Sequence, residues 1–346
     1  MTTVLIAMHL LSAQRWTQAQ AEAWGAKQHW SAGCNFTPST AINQLEMWQA
    51  DTFDTKTIDR ELGWMHGVGM SRARVYLHDL AYEQDPKGFK QRMADFLKLA
   101  DKHQVKVMFC IFDDCWDAHP KVGRQREPKK GVHNSGWVRS PGDDERDWPE
   151  DAPRLKTYVQ DIVKTFAKDK RVWMWDLYNE PGNSGYGEKS DFLLRHVFDW
   201  AREIRPDQPL TAGAWQGGTE MDKLCVDLSD VTSFHCYDGV DVLEKQIAFY
   251  KGFGRPVVCS EWMARTNNSL IKTHLPVFKK EGVSCLQWGF VSGKTNTIFP
   301  WGSKEGGEEP KVWFHDLLRA DGSPFDKAEV VTYQRLCGHP NASAEK

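Results

Sequence analysis

No stretch of the chain approaches the ~18 consecutive apolar residues that a membrane-spanning helix needs, which argues against an integral membrane protein. Neither sign of charge dominates. With 44 basic and 47 acidic side chains the net charge is −3, so the electrostatic footprint of a nucleic-acid or anionic-membrane binder is missing and a neutral partner fits better. There is no CxxC spacing and no mixed Cys/His cluster to suggest zinc. Nor is there a Pro/Ser-rich linker or an internal repeat, so nothing marks an accessory module.

What the sequence does have is length, tryptophan and alternation. Its 346 residues exceed an ordinary single domain, yet barrels of alternating strands and helices reach this size as one unit. Sixteen tryptophans supply flat amphipathic rings. Most belong in the core, and some could line a cleft. Of the eight cysteines, Cys34, Cys110, Cys236, Cys259 and Cys285 fall inside predicted strands, where cysteine behaves as a small buried hydrophobe. The redox compartment stays open on that count. The amino-terminal residues 1–29 include a short apolar stretch, Val4 to Leu11, with small residues near Ala13 and Ala21 and no basic start. This reads either as a degenerate export signal, implying a secreted or periplasmic protein, or as an ordinary terminus of a cytoplasmic one.

Short apolar runs alternate with helical periodicity from about residue 30 to 330, leaving 331–346 as a tail. Strands are expected at Ser31–Phe36, Ser71–Leu77, Val105–Phe112, Val172–Tyr178, Pro209–Ala214, Asp230–Cys236, Pro256–Cys259 and Val283–Gly289. Helices are expected at Asp54–Gly67, Gly88–Lys102, Ala152–Phe166, Lys189–Ile204, Val240–Tyr250, Leu270–Lys280 and Val312–Leu318. This pattern predicts an α/β fold, a (β/α)8 TIM barrel in a single domain, with one long loop after strand three. That loop, Asp113 to Asp151, is punctuated by Trp116, His133, Asn134 and Trp137, which favours a folded lid over disorder. Asp113 and Asp114 lack the further spaced ligands that a calcium site needs. His196 sits beside the apolar face of its helix and reads as a core histidine.

Two of these strands end in glutamates. Val172–Tyr178 runs into Asn179-Glu180-Pro181-Gly182, where proline and glycine stop the strand; the second run ends in Ser260-Glu261-Trp262. Taken alone, Asn-Glu-Pro is also compatible with a turn at a helix start. Taken together, two glutamates at the carboxyl ends of strands in one parallel barrel supply the acid and the facing carboxylate that glycoside cleavage requires.

These two strand ends, about 80 residues apart, resemble the catalytic signatures of retaining glycoside hydrolases of clan A, most closely family 5, the cellulase and mannanase family. Arg74 in RARVYLHD, His235 and Tyr237 in SFHCYD and Trp288 in LQWGF match the same pattern in the same order. The resemblance implies that Glu261 is the nucleophile and Glu180 the acid/base. It further implies that Arg74 and Tyr237 brace Glu261 and that Asn179 holds the sugar's 2-hydroxyl, with Trp288 flooring the site. Glucan, mannan and xylan types of β-linked oligo- or polysaccharide all fit, the protein is expected to act as a monomer, and no cofactor or metal is called for. One departure bears on the substrate more than on the chemistry: strand three ends in Phe112-Asp113-Asp114-Cys115-Trp116, without the family's histidine.

Around this set, Glu46 and Trp48 in the loop after strand one read either as structural capping or as sugar contacts, and Trp116 and Trp137 as sugar contacts from the lid. His78 and Asp79 are either site residues or a local cap, and Lys294 and Trp301 are lesser candidates. Glu180, facing a negative Glu261, is expected to stay protonated until attack. A transglycosidase would use the same residues, and a barrel that only binds carbohydrate would have been free to lose them.

Overall fold

The computed structural model describes residues 14–146 and 148–339. Eight parallel strands close into one barrel in chain order: β1 (Ala32–Asn35), β2 (Arg72–Tyr76), β3 (Lys106–Asp113), β4 (Val172–Asn179), β5 (Leu210–Ala214), β6 (Thr232–Cys236), β7 (Val257–Trp262) and β8 (Ser284–Gln287), with β8 pairing back onto β1. From Val107 onward β3 is buried throughout, because its outer face meets helices and its inner face the barrel interior. It therefore reads as a continuous apolar run rather than an alternating one. Gly33 is required where β1 meets β2, since a Cβ there would lie 1.8 Å from the Arg72 carbonyl oxygen.

The helices are α1 (Gln18–Gly25), α2 (Gln44–Trp48), α3 (Thr55–Val68), α4 (Asp79–Gln84), α5 (Pro86–Lys102), α6 (Ala152–Phe166), α7 (Asp191–Ile204), α8 (Glu220–Leu228), α9 (Val240–Lys251), α10 (Ile271–Glu281) and α11 (Lys327–Cys337). The helix α5 shows how they are held. Pro86 opens it and the Asp85 carboxylate accepts from Gly88 N at 2.9 Å, which satisfies a free helix-start donor. Phe89, Met93, Phe96, Leu97 and Ala100 then form one fully buried face, each large side chain contributing about 1.5–3 kcal/mol.

Inside the barrel the character changes along the strands. Met108, Met174, Val258 and Leu286 pack together as an apolar layer. Two residues further along β3 and β4 the same face carries Cys110 and Asp176, both in contact with Arg74 of β2. The chain's polar chemistry is thus gathered at the carboxyl end of the barrel. At the other end, residues 14–25 dock onto the barrel: Trp16 N donates to Asp230 Oδ1 at 2.8 Å, Arg15 Nε donates to Ser229 O at 2.6 Å, and Trp24 stacks on Trp173. The apolar stretch read as a possible export signal lies outside the described residues. Ala21, one of its small residues, is buried in α1.

The segment 113–151 is folded, with Asp113 and Ser140 exchanging backbone bonds of 2.6 and 3.0 Å. One flank is held by the loop after β1, where Asn43 Nδ2 donates to Gly136 O at 2.8 Å and Gln44 Nε2 to Val138 O at 3.0 Å. The other is held by the loop after β8, through Asn134 N to Thr295 O at 2.9 Å and Gly306 N to Lys130 O at 2.8 Å. The two loops approach so closely that a Cβ on Gly131, whose φ is +80°, would sit 2.8 Å from Gly307 N.

Several sequence expectations are corrected here. No helix forms at 312–318: Phe314 N and His315 N donate to the carbonyls of Ile298 and Thr297, so their donors go to a neighbouring loop instead of back along a helix. The ring is closed by α11, packed on α3 and α10, and a boundary at 330 would cut through it. The helix α8 was not anticipated, although Thr219 and Asp222 form a capping box. His78 is a local cap, its Nδ1 accepting from Leu80 N at 3.2 Å. His196 is half-buried, stacked on Phe192 beside Trp148 instead of in the core.

Trp48 is no sugar platform. The short helix α2 turns it inward against Phe53, Phe89 and Phe96, with Nε1 donating to Tyr76 O at 2.6 Å and no exposed surface. Replacing it with alanine should lower the free energy of unfolding by about 3–5 kcal/mol in urea titrations. Unchanged stability with a defect confined to substrate affinity would return Trp48 to the site.

Candidate active site

Each polar side chain of the site arrives from a strand's carboxyl end. Arg74 on β2 is fully buried and is paired on both sides: NH1 meets Glu261 Oε1 at 2.5 Å, while Nε and NH2 meet Asp176 Oδ2 at 2.8 and 2.5 Å. Its NH2 also donates to Asn179 Oδ1 at 2.6 Å. Asp176 was not named from sequence, although a buried guanidinium is tolerable only beside such a carboxylate. Tyr76 was missed as well. Two residues after Arg74, it shares the interior face and donates its hydroxyl to Glu261 Oε1 at 2.5 Å. From β6, Tyr237 donates to Glu261 Oε2 at 2.7 Å. Three donors therefore aim at the two oxygens of Glu261.

Glu180 is held differently. It follows β4 where the β4–β5 register shifts, and its φ of 45° places it in the left-handed region, a strained conformation that surrounding contacts must enforce. His235 Nδ1 lies 2.6 Å from Oε1, and the Cys115 thiol donates to Oε2 at 3.2 Å, as does Asn183 Nδ2. Burial pushes the Glu180 carboxyl up, but the hydrogen bond and charge of His235, with Cys115 and Asn183, outweigh it and hold the group below the ordinary glutamate range. For His235 burial acts downward, and the charges of Glu261 and Glu180 lift it above the ordinary value. Both shifts favour a charged pair, with His235 protonated and Glu180 ionised, whereas the sequence reading expected the proton on Glu180.

Oxygens of Glu180 and Glu261 and a nitrogen of His235 all lie within 4.8 Å of one another. Among the described residues this trio is the group placed to hold a metal ion, but its members are already engaged with one another and with Arg74, Tyr76 and Tyr237. Asn179 is fixed by its neighbours: one amide hydrogen goes to Asp113 Oδ1 at 2.8 Å, the other only to the Cys115 sulfur at 3.4 Å. Asp113, taking the end of β3, is pushed by burial up to about 7 despite bonds from Asn179 and Trp137.

A cavity of about 420 Å³ opens above these groups. Of the residues singled out from sequence, it is lined by Asn179, Glu180, His235, Tyr237, Glu261 and Trp288, together with Trp116. Arg74 lies beneath it. Trp137 does not reach it. That ring stands behind Trp288 at 5.6 Å and donates Nε1 to Asp113 Oδ2 at 2.7 Å. Glu46 is likewise occupied with the fold, pairing with Lys294 at 2.6 Å and accepting from Ile42 N at 2.7 Å. Cys115, Trp215, His133 and Asn134 line the cavity without having been assigned to it, and Trp301 joins them. A second cavity of about 410 Å³, at the amino-terminal face beside Trp24 and Trp173, has Glu22 as its lone carboxylate and no pair for acid-base work.

Two carboxylates whose oxygens lie within 4.8 Å at the strand ends of a parallel barrel have the close spacing found in retaining glycoside hydrolases. The family model described as Cellulase (glycosyl hydrolase family 5) matches residues 24–293, and the chain belongs to that family. No curated protein matches it. Among solved structures, it is similar in fold to a GH5_18 variant from Streptomyces cattleya in complex with Manb1-4GlcNAc (TM-score 0.61, 12% identity, covering 92% of this chain and 82% of that one). It also resembles an exo-beta-1,4-mannosidase from Opitutaceae bacterium strain TAV5 (0.62, 15%, 90% and 59%) and an endo-beta-1,4-mannanase from Thermotoga petrophila (0.60, 13%, 93% and 79%).

The Glu180–His235 pair makes stability depend on pH. His235 is raised above its ordinary 6.5, so its contribution is complete below that value and is lost as pH climbs through the folded value. Glu180 is lowered from 4.5, so its contribution is complete above that value and lost as pH falls through the folded one. The stability gap between native protein and His235→Gln should therefore be widest between about pH 4.5 and 6.5 and narrow at higher pH. A gap that stays constant from pH 5 to 9 in chemical denaturation would show that the pair carries no proton-linked stability.

Proposed function

We propose that the protein is a retaining β-glycosidase that releases sugar from the ends of short β-linked oligosaccharides, with β-mannosides foremost. The observation that carries this reading is the meeting of Glu180, His235 and Glu261 within 4.8 Å in a cavity covered by a lid that is fastened on both flanks. The mannosidases and mannanases among the neighbouring folds support the choice of sugar, and the lid supports chain-end action, since a segment pinned to the loops after β1 and β8 leaves less room for a long polymer.

In this scheme Glu261 attacks the anomeric carbon while Glu180 protonates the leaving oxygen. The proton is held jointly with His235 before reaction. As Glu261 becomes an ester its negative charge disappears; after burial, that charge is the largest influence on His235. His235 then loses proton affinity at the moment the leaving oxygen gains it, and the proton passes through Glu180. In the second half Glu180, again a carboxylate, takes a proton from the attacking water. Asn179 turns the amide hydrogen now spent on the weak Cys115 acceptor toward the sugar's 2-hydroxyl.

The roles separate by mutation. General-acid help is worth about 10²–10⁴-fold and matters only for poor leaving groups. Glu180→Ala should form the glycosyl-enzyme readily from an aryl glycoside of an acidic phenol and then stall, with added azide releasing the β-glycosyl azide. Glu261→Ala should be inactive on aryl and natural substrates alike, any azide product being the α-anomer. Exchange of these stereochemical outcomes between the two variants would reverse the assignment.

Chain-end action is read from product sizes. A β-1,4-linked hexasaccharide should yield monosaccharide and pentasaccharide first, and polymer viscosity should fall slowly. Early appearance of di-, tri- and tetrasaccharides together would mean that the lid does not close the cleft.

A further inference from the structure

The two consecutive aspartates at the end of β3 stand beside the two consecutive site residues at the end of β4. The strand register pairs Asp113 with Asn179, and Asp114 N donates to Asn179 O at 3.4 Å. Both aspartates are buried, and each accepts four hydrogen bonds, the full capacity of a carboxylate. Asp113 Oδ1 accepts from Asn179 Nδ2 at 2.8 Å and Cys115 N at 3.0 Å, and Oδ2 from Trp137 Nε1 at 2.7 Å and Gln44 Nε2 at 3.2 Å. The lid and α2 therefore hold this carboxylate, and the carboxylate holds the amide. With an acceptor at its nitrogen and the Arg74 donor 2.6 Å from its oxygen, the Asn179 carboxamide can face only one way round.

Asp114 acts on the next residue from both sides. Its Oδ1 accepts from the Tyr178 hydroxyl at 2.8 Å and Arg146 NH2 at 2.6 Å, and its Oδ2 from Gly182 N at 2.8 Å and from Ser190 Oγ. Tyr178 lies two residues before Glu180 and Gly182 two after it, so one carboxylate closes a clamp across the position whose φ is 45°. Arg146 supplies the opposing charge, and Arg139 braces the same turn by donating to Asp114 O and Ser184 O, at 2.9 Å each. A left-handed glutamate persists only where its surroundings over-determine it, and the clamp supplies that constraint.

Resting on the glycosidase reading above, we propose that Asp113 and Asp114 are positioning residues with separate tasks. Asp113 sets the Asn179 carboxamide that meets the sugar's 2-hydroxyl, and Asp114 sets the backbone turn that aims Glu180 at the leaving oxygen. Neither aspartate lines the cavity, so each acts through the residue it holds. A reacting or binding group displaced by about 1 Å can cost about 100-fold in rate, which makes both tasks visible in kinetics.

Three aryl β-mannosides separate the tasks in the whole enzyme: the phenyl glycoside, whose leaving group needs an acid, the 2,4-dinitrophenyl glycoside, whose leaving group does not, and the 2-deoxy analogue of the phenyl glycoside. Turnover of the phenyl glycoside by native enzyme, with the Glu180→Ala pattern, tests the glycosidase reading itself; the ratios of variant to native kcat/KM test the two aspartates. Asp114→Asn should lose about 10–100-fold on the phenyl glycoside and on its 2-deoxy analogue alike, but no more than about 3-fold on the dinitrophenyl glycoside. Asp113→Ala should lose about 10–100-fold on the phenyl and dinitrophenyl glycosides alike, but no more than about 3-fold on the 2-deoxy analogue, where the contact it serves is already absent. If either variant does not fold, Ser190→Ala, which loosens the Gly182 side of the clamp, and Asp113→Asn, which keeps one acceptor, should show the same selectivity at about 3–10-fold. Equal losses on all three substrates, as a merely structural role would give, overturn the proposal. So does the absence of any loss, or a loss that follows the leaving group for Asp113 or the 2-hydroxyl for Asp114.

Discussion

The site depends on a buried guanidinium. Arg74 sits inside the barrel with no exposed surface, where an unpaired cation is untenable. Its position is tolerable because Asp176 lies on one side and Glu261 on the other, with the Asn179 amide oxygen alongside. Two carboxylates and a carboxamide from β4 and β7 are thereby oriented around a planar fork that can satisfy them together. Removing either carboxylate would leave a charge uncompensated, so the requirements of folding and of holding Glu261 in place coincide.

The other glutamate is placed by strain and loops more than by charge. Glu180 takes a left-handed backbone conformation directly after β4 and receives donors from three elements: His235 on β6, Cys115 from the segment after β3 and Asn183 from its own loop. The two carboxylates therefore live in different environments although they face each other. One is gripped by an arginine and two phenols, and the other pairs with an imidazole, so the two carboxylates differ in what would stabilise or protonate them.

Much of this was legible in the chain. Asn179, Glu180, His235, Tyr237, Glu261 and Trp288 stand at strand ends, where period-two runs stop at proline, glycine or polar residues, and the structure gathers all six around one cavity. Tyr76 carried a signal that was not used, since two residues from Arg74 it had to share the interior face. Trp48, Glu46 and Trp137 were misplaced because composition does not show which way a ring or carboxylate turns. Trp48 faces the core because α2 rotates it there, and Trp137 stands behind Trp288 because Asp113 takes its indole N–H. The helix expected at 312–318 failed for a related reason: an apolar run shows that a segment is buried, not whether its backbone donors go to itself or to a neighbour.

By itself the sequence determined the barrel and the identity of its strand-end glutamates, because hydrophobic periodicity and strand-stopping residues are local properties read over a few residues. Tertiary structure alone decided that Glu180 pairs with His235, which lid residues meet the cavity and which tryptophans are merely core. Those outcomes depend on distances between residues remote in the chain, such as 55 positions between Glu180 and His235 or 161 between Asn134 and Thr295. Charge, burial and hydrogen bonding act through space, and only the closed barrel brings such groups within their range.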